Sequence, residues 1–306
     1  MLGLFGRPAA RRSREESTGS SASAARIGAS SPGFARTAVR SAHLVTPTTY
    51  SGKLLFVTSR GHRIHYQVFG DGPAILLLHG HPMWGDRWVD RGYVGRLQER
   101  FRVIVPDLLG HGRSDKPDDP AAYGNPNIAD DVVAILDSEA VVAAHLWGYS
   151  WGSMVAEYLA VRSPGRVLSL ILGGFPIGLD AADRAAMAAA SVPSATLEER
   201  FADWPPPLAE LFIANNDIGA VRAIQATIYE FPATIAELQA SSHPTLSYYG
   251  ADDIYIELAR RQARALPCHL EIVPGDHIRA FAEADNILPA AIAHIDTTAA
   301  DALPGG

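Results

Sequence analysis

The pentapeptide Gly148-Tyr149-Ser150-Trp151-Gly152 constrains this chain more than any other feature. An apolar run over 143–147 leads into it. A helical pattern over 151–162 leads out and is ended by Ser163-Pro164-Gly165. A strand that becomes a helix within so few residues brings two backbones together, so Gly148 and Gly152 are expected to support the turn by having no side chain. Such a turn lifts the Ser150 hydroxyl clear of the sheet, at the start of a helix. Free N–H groups and the helix dipole there favour developing negative charge. The expected role of Ser150 is nucleophile.

The pattern around the pentapeptide is orderly from about residue 50. Two strands are expected over 53–59 and 63–69, joined by a turn at 60–62. Continuous apolar runs over 74–78, 101–105, 143–149, 167–172, 245–249 and 269–273 read as strands buried on both faces. Helical patterns lie between them at 88–98, 128–138, 151–162, 254–265 and 277–294. This alternation after an initial hairpin predicts an α/β fold: a mainly parallel eight-stranded sheet flanked by helices. Residues 178–242 break the alternation. They carry helical patterns at 181–190, 197–201, 208–215 and 220–229, no convincing strand, and a Pro205-Pro206-Pro207 break. This stretch is expected to be an inserted helical cap.

A serine hydroxyl needs a base to take its proton. His277, in Pro274-Gly275-Asp276-His277, is the one of eleven histidines in a loop after the final strand. The imidazole in turn needs an acid that fixes its tautomer. Asp253, at the end of the preceding strand, is the expected partner. Spacing alone does not separate it from Asp252, and the carboxylate not used is expected to cap the helix that follows. An oxyanion needs donors. The Trp151 N–H follows the nucleophile, and the His81 N–H lies in the loop His79-Gly80-His81-Pro82 after the 74–78 strand. His79 and Gly80 are expected to support that loop. Aromatic residues near the site, Trp84, Tyr149, Trp204 and Tyr229 with Trp151, Phe212 and Phe231, are candidates for a substrate pocket.

Composition narrows the function. The 306 residues carry a net charge of −7 and one cysteine, Cys268. A single cysteine excludes an intrachain disulfide and iron–sulfur or zinc-ribbon sites. The acidic balance argues against nucleic-acid binding, and no apolar run approaches the roughly 18–20 residues of a membrane span. Residues 1–45 hold seven arginines and two glutamates, a net of +5, which leaves −12 for the rest. Residues 1–48 therefore read as a disordered basic extension. Its Arg- and Ser-rich composition also has the character of an organelle transit segment, against a default expectation of a cytoplasmic protein. The body is expected to occupy 49–177 and 243–297, with a flexible tail at 298–306.

Over about residues 52–296 the chain resembles the α/β-hydrolase family. Four motifs carry the resemblance in order: His79-Gly80-His81-Pro82, then Asp107-Leu108-Leu109-Gly110-His111-Gly112-Arg113-Ser114, then the serine turn, then the Asp253/His277 pair. The resemblance implies that the loop holding Asp107 and His111 is structural. The first two motifs are similar to those of epoxide hydrolases and haloalkane dehalogenases, whose nucleophile is aspartate. Serine at position 150 points instead to an esterase-type serine hydrolase acting through an acyl-enzyme. Lactonases, carbon–carbon bond hydrolases, an iminopeptidase-like peptidase, a cofactor-free perhydrolase or oxygenase, and a non-catalytic binder use the same fold. No cofactor or metal is expected. The expected partner is a small-molecule substrate, and the expected state is a monomer or homodimer. The expected substrate is small to medium and largely apolar.

Overall fold

A computed structural model describes residues 53–301, apart from 191–193, 203, 205, 231 and 232. The expected basic extension at 1–48 and the candidate Phe231 lie outside the described residues. Eight strands form one sheet: β1 (Lys53–Ser59), β2 (His62–Phe69), β3 (Ala74–Leu78), β4 (Arg102–Pro106), β5 (Ala144–Tyr149), β6 (Val167–Gly173), β7 (Thr245–Gly250) and β8 (Cys268–Val273). Their spatial order is β1-β2-β4-β3-β5-β6-β7-β8. β1 pairs antiparallel with β2, β2 antiparallel with β4, and every other pair is parallel.

The parallel strands read as unbroken apolar runs because both of their faces are covered. In β3, Leu76 and Leu78 pack on one face while Ile75 and Leu77 pack on the other. The first face meets Ile128, Val132 and Leu136 of α3 (Asn125–Ser138) and Val155 and Leu159 of α4 (Trp151–Arg162). The second meets Trp88, Tyr93 and Leu97 from α1 (Asp86–Asp90) and α2 (Tyr93–Leu97), together with Phe281, Ile287 and Ile295. Each such side chain removed from water contributes about 1.5–3 kcal/mol.

Between β6 and β7 the described residues form five helices: α5 (Ala181–Ala190), α6 (Leu197–Arg200), α7 (Pro206–Asn215), α8 (Ile218–Thr227) and α9 (Ile235–Ser241). Their starts follow local chemistry. Thr196, Asp217 and Thr234 each accept a backbone N–H from the first turn, and Thr234 forms a reciprocal capping box with Glu237. Pro206 opens α7, where its missing N–H costs nothing.

Two expected helices are broken. The stretch expected over 88–98 is α1 and α2, separated at Gly92, whose φ of 83° stops the first helix. The stretch expected over 277–294 is α11 (His277–Ala282), a 3-10 turn at Ala284–Asn286, and α12 (Leu288–Asp301). Pro289 explains the second break, because proline fits a first helical turn but not a helix interior. α12 also runs four residues into the expected tail. α10 (Ile256–Ala263) completes the set between β7 and β8.

Candidate active site

The turn from β5 to α4 is as sharp as its sequence implies. Ser150 has φ 54° and ψ −118°, a conformation that few non-glycine residues adopt. A Cβ on Gly148 would lie 2.4 Å from the Gly152 carbonyl oxygen. One on Gly152 would lie 2.0 Å from the Leu78 carbonyl oxygen. The turn is held from the side as well. The Ser150 N–H donates to the Gly173 carbonyl at 2.7 Å, and the Gly173 N–H donates to Ser153 Oγ at 3.1 Å. Trp151 occupies the first position of α4, so its N–H has no acceptor within the helix.

His277 opens α11 in the loop after β8. Asp276 caps that helix by accepting the N–H groups of Ile278 and Arg279. The ring Nδ1 lies 3.0 Å from Asp253 Oδ2. A carboxylate can only accept, so Nδ1 carries the proton and Nε2 keeps its lone pair. The other oxygen, Asp253 Oδ1, accepts the Tyr255 N–H at 3.0 Å, and Asp253 is 2% exposed. Asp252 is exposed, and its backbone N–H donates to the Gly275 carbonyl. It does not cap the next helix. α10 starts at Ile256 with Tyr255 before it and without a side-chain cap. Tyr149 holds the histidine loop from beneath: its hydroxyl donates to the His277 carbonyl, and its ring lies 5.3 Å from the imidazole.

The loop after β3 brings Gly80 and His81 against the serine. A Cβ on Gly80 would lie 2.9 Å from Ser150 Cβ. Three imidazoles order this loop, and their partners fix their tautomers. The Leu108 N–H donates to His79 Nε2 at 2.9 Å, so His79 Nδ1 donates to the Gly80 carbonyl. His111 Nδ1 faces the Leu109 carbonyl, so its Nε2 accepts from His81 Nδ1 at 2.9 Å. Burial holds the His79 pKa down to about 4 and that of His111 well below its ordinary value, so both rings are neutral. Asp107 is equally structural. It accepts from the Gly85 and Arg113 N–H groups and from His65 Nδ1.

Ser150, Trp151, His81 and His277 line one pocket that opens to solvent. Of the aromatic candidates, Tyr149, Trp151, Trp204, Phe212 and Tyr229 are in its wall. Trp84 is not. It is 5% exposed and packs behind the wall, edge-on to Phe212 at 5.3 Å and beneath the Arg87 guanidinium. Sequence reading did not single out Phe175, Tyr255, Phe281 or the three arginines of the lining, Arg87, Arg91 and Arg200. Phe175 and Tyr255 each lie within two residues of a strand end or a site residue, which was the one signal they offered.

A sequence profile described as the alpha/beta hydrolase fold matches residues 73–191. A solved structure of a hydrolase from Pseudomonas aeruginosa PA01 superimposes with a TM-score of 0.67 over 81% of this chain and 98% of its own, at 24% identity. The chain has the α/β-hydrolase fold. An uncharacterized protein of Mycobacterium tuberculosis is 34% identical over 200 residues, 63% of this chain and 55% of that protein. Epoxide hydrolase 2 of Siraitia grosvenorii is 34% identical over 119 residues, 38% of this chain and 36% of that enzyme. The chain thus spans about half the length of the mycobacterial relative and about a third of the epoxide hydrolase.

Within this α/β-hydrolase fold the strand-to-helix turn after β5 carries Ser150, the turn after β7 carries Asp253, and the loop after β8 carries His277. Among the described residues no cluster of histidine, cysteine and carboxylate groups is placed to hold a metal ion. No described helix is long and apolar enough to cross a membrane.

Proposed function

We propose that this protein is a serine hydrolase that cleaves a carboxylic ester or related acyl substrate through an acyl-enzyme. The observation that carries the reading is the joint position of Ser150 and His277 on one pocket wall, with Asp253 fixing the His277 tautomer from behind. The helical segment between β6 and β7 acts as a cap, since it supplies Arg200, Trp204 and Tyr229 to the same pocket.

The mechanism follows from the groups present. His277 Nε2 takes the proton of Ser150 Oγ as the oxygen attacks the substrate carbonyl. The backbone N–H groups of Trp151 and His81 receive the oxyanion, and one such donor is worth about 10²–10³ in rate. His277 then protonates the leaving oxygen, the alcohol departs, and an acyl-Ser150 ester remains. Water enters, His277 takes its proton, and the acid is released as Ser150 regains its hydrogen. Asp253 stays ionised throughout and stabilises the imidazolium.

Similarity to an epoxide hydrolase supports hydrolysis in general but not epoxide opening. That reaction needs a carboxylate nucleophile to form the ester that water opens, and position 150 is serine.

A fluorophosphonate probe tests the reading. The intact protein should become labelled at Ser150, and Ser150→Ala should abolish both labelling and hydrolysis of p-nitrophenyl esters. If Ser150 stays unlabelled and Ser150→Ala hydrolyses esters as fast as the original protein, the reading is wrong.

A further inference from the structure

The pocket above Ser150 runs against the charge of the molecule. The chain is net −7, yet three guanidinium groups line this pocket and no described lining residue is aspartate or glutamate. The three come from different places. Arg87 belongs to α1, Arg91 follows that helix, and Arg200 ends α6 on the opposite, cap side. Between them the wall is mostly apolar, with Met154, Phe175, Trp204 and Phe212 among its members.

The arginines differ in setting. Arg91 is exposed, on the solvent side of the pocket. Arg87 is buried, lies over the Trp84 ring and shares its charge with Asp90 at 3.2 Å. Arg200 is half-buried and interacts electrostatically with Tyr229, another wall residue. Its charge also reaches the His81 ring, one residue from the glycine that touches Ser150. Arg200 therefore shares one pocket with Ser150 and His277.

A guanidinium stays charged even when water is largely removed, so it can still attract an anion from within an apolar wall. Its planar fork matches the two oxygens of a carboxylate. A positive, partly apolar cleft also concentrates anions near its mouth.

We propose that the pocket selects acyl substrates that carry a carboxylate, with Arg200 receiving that group and Arg87 and Arg91 drawing the anion in. This rests on the reading of Ser150 as acyl nucleophile. It replaces the largely apolar substrate expected from the sequence. The fitting molecule is a half-ester or lactone acid in which a short apolar chain separates the carboxylate from the scissile carbonyl.

The test compares p-nitrophenyl hydrogen glutarate with p-nitrophenyl valerate, at low salt and at high salt. The expected kcat/KM favours the glutarate half-ester by about tenfold or more, and salt narrows the gap. Arg200→Met should lower that ratio by about tenfold, Arg200→Lys should keep part of it, and Arg91→Gln should weaken its salt dependence. Equal or better turnover of the valerate ester by the original protein overturns the proposal, and leaves the serine-hydrolase reading standing. So does a ratio that neither Arg200 variant changes. Binding of glutarate to the Ser150→Ala protein, followed by calorimetry, tests the anion site without any turnover. Binding that Arg200→Met weakens about tenfold supports the site, and no binding overturns it. If neither ester is cleaved and Ser150 is unlabelled, the hydrolase reading fails, and the glutarate titration still decides the anion site.

Discussion

Asp253 holds two groups at once: Oδ2 accepts the His277 Nδ1–H at 3.0 Å while Oδ1 accepts the Tyr255 N–H at the same distance. The second bond fixes the carboxylate so that the first can fix the imidazole. Asp253→Asn keeps the shape but offers an amide where His277 needs an acceptor, which favours the wrong tautomer. Ester turnover by Asp253→Asn should fall about 10³–10⁴-fold. Asp252→Asn, altered at an exposed carboxylate with no such role, should stay within about threefold of the original rate. Steady-state kinetics on one p-nitrophenyl ester decides between the two, and the opposite ranking would remove Asp253 from the mechanism.

The glycine after the serine should tolerate no side chain. In Gly152→Ala the new carbon meets a main-chain oxygen at 2.0 Å, which can move only with β3. The cost should reach about 3 kcal/mol or more, read as a lower urea midpoint. Gly165→Ala is the control, because a Cβ there meets nothing within 4 Å. It should change stability by about 0.5 kcal/mol at most.

Glu157, fully buried on α4, has its pKa pushed up to about 8 by burial, against one opposing hydrogen bond from the Gly178 N–H. The native protein therefore keeps the proton that the unfolded chain loses near pH 4.5. Below that pH both states are protonated and the group is neutral to stability. Between there and about pH 8 stability falls as pH rises, by as much as ~5 kcal/mol in total, and above that the loss is constant. Glu157→Gln should remove this slope, so the variant should gain on the original protein steadily from pH 5 to pH 8 in urea titrations. Parallel curves for the two proteins would contradict the assignment.

Trp84 and Trp204 should separate support from contact. Trp84 packs against Phe212 and away from the pocket, so Trp84→Ala should cost about 3–5 kcal/mol of stability. Trp204 lines the pocket and is only partly buried, so Trp204→Ala should cost less stability and change KM more. Thermal unfolding and ester kinetics on both variants check this, and a larger KM change in Trp84→Ala would reverse the placement.

The elements that announced themselves in the sequence were those whose signals are local. β3 and the lead into Ser150 read as apolar runs because both faces of a parallel sheet are covered, and α4 read as a helix because Ser163-Pro164-Gly165 ends it. The single long helix expected from 277 was misjudged, although Pro289 marked the break. The wall position of Trp84 was misjudged for a different reason. An aromatic near the site in sequence can face the pocket or the layer behind it, and only packing against Phe212 settles which.

By itself the sequence determined the layered α/β architecture and the identity of Ser150 and His277 as the pair to watch, because strand burial, helix stops and a glycine-flanked turn act over a few neighbouring residues. Only the tertiary structure showed that Asp253, and not Asp252, meets the His277 ring, since which carboxylate of a turn faces a ring from another loop depends on how the two loops pack. It alone also gathered Arg87, Arg91 and Arg200, from segments over a hundred residues apart, around one cavity. The composition of residues 178–242, three arginines against nine carboxylates, gave no hint of that, because the electrostatics of a pocket depend on which side chains meet in space and not on the composition of any one segment.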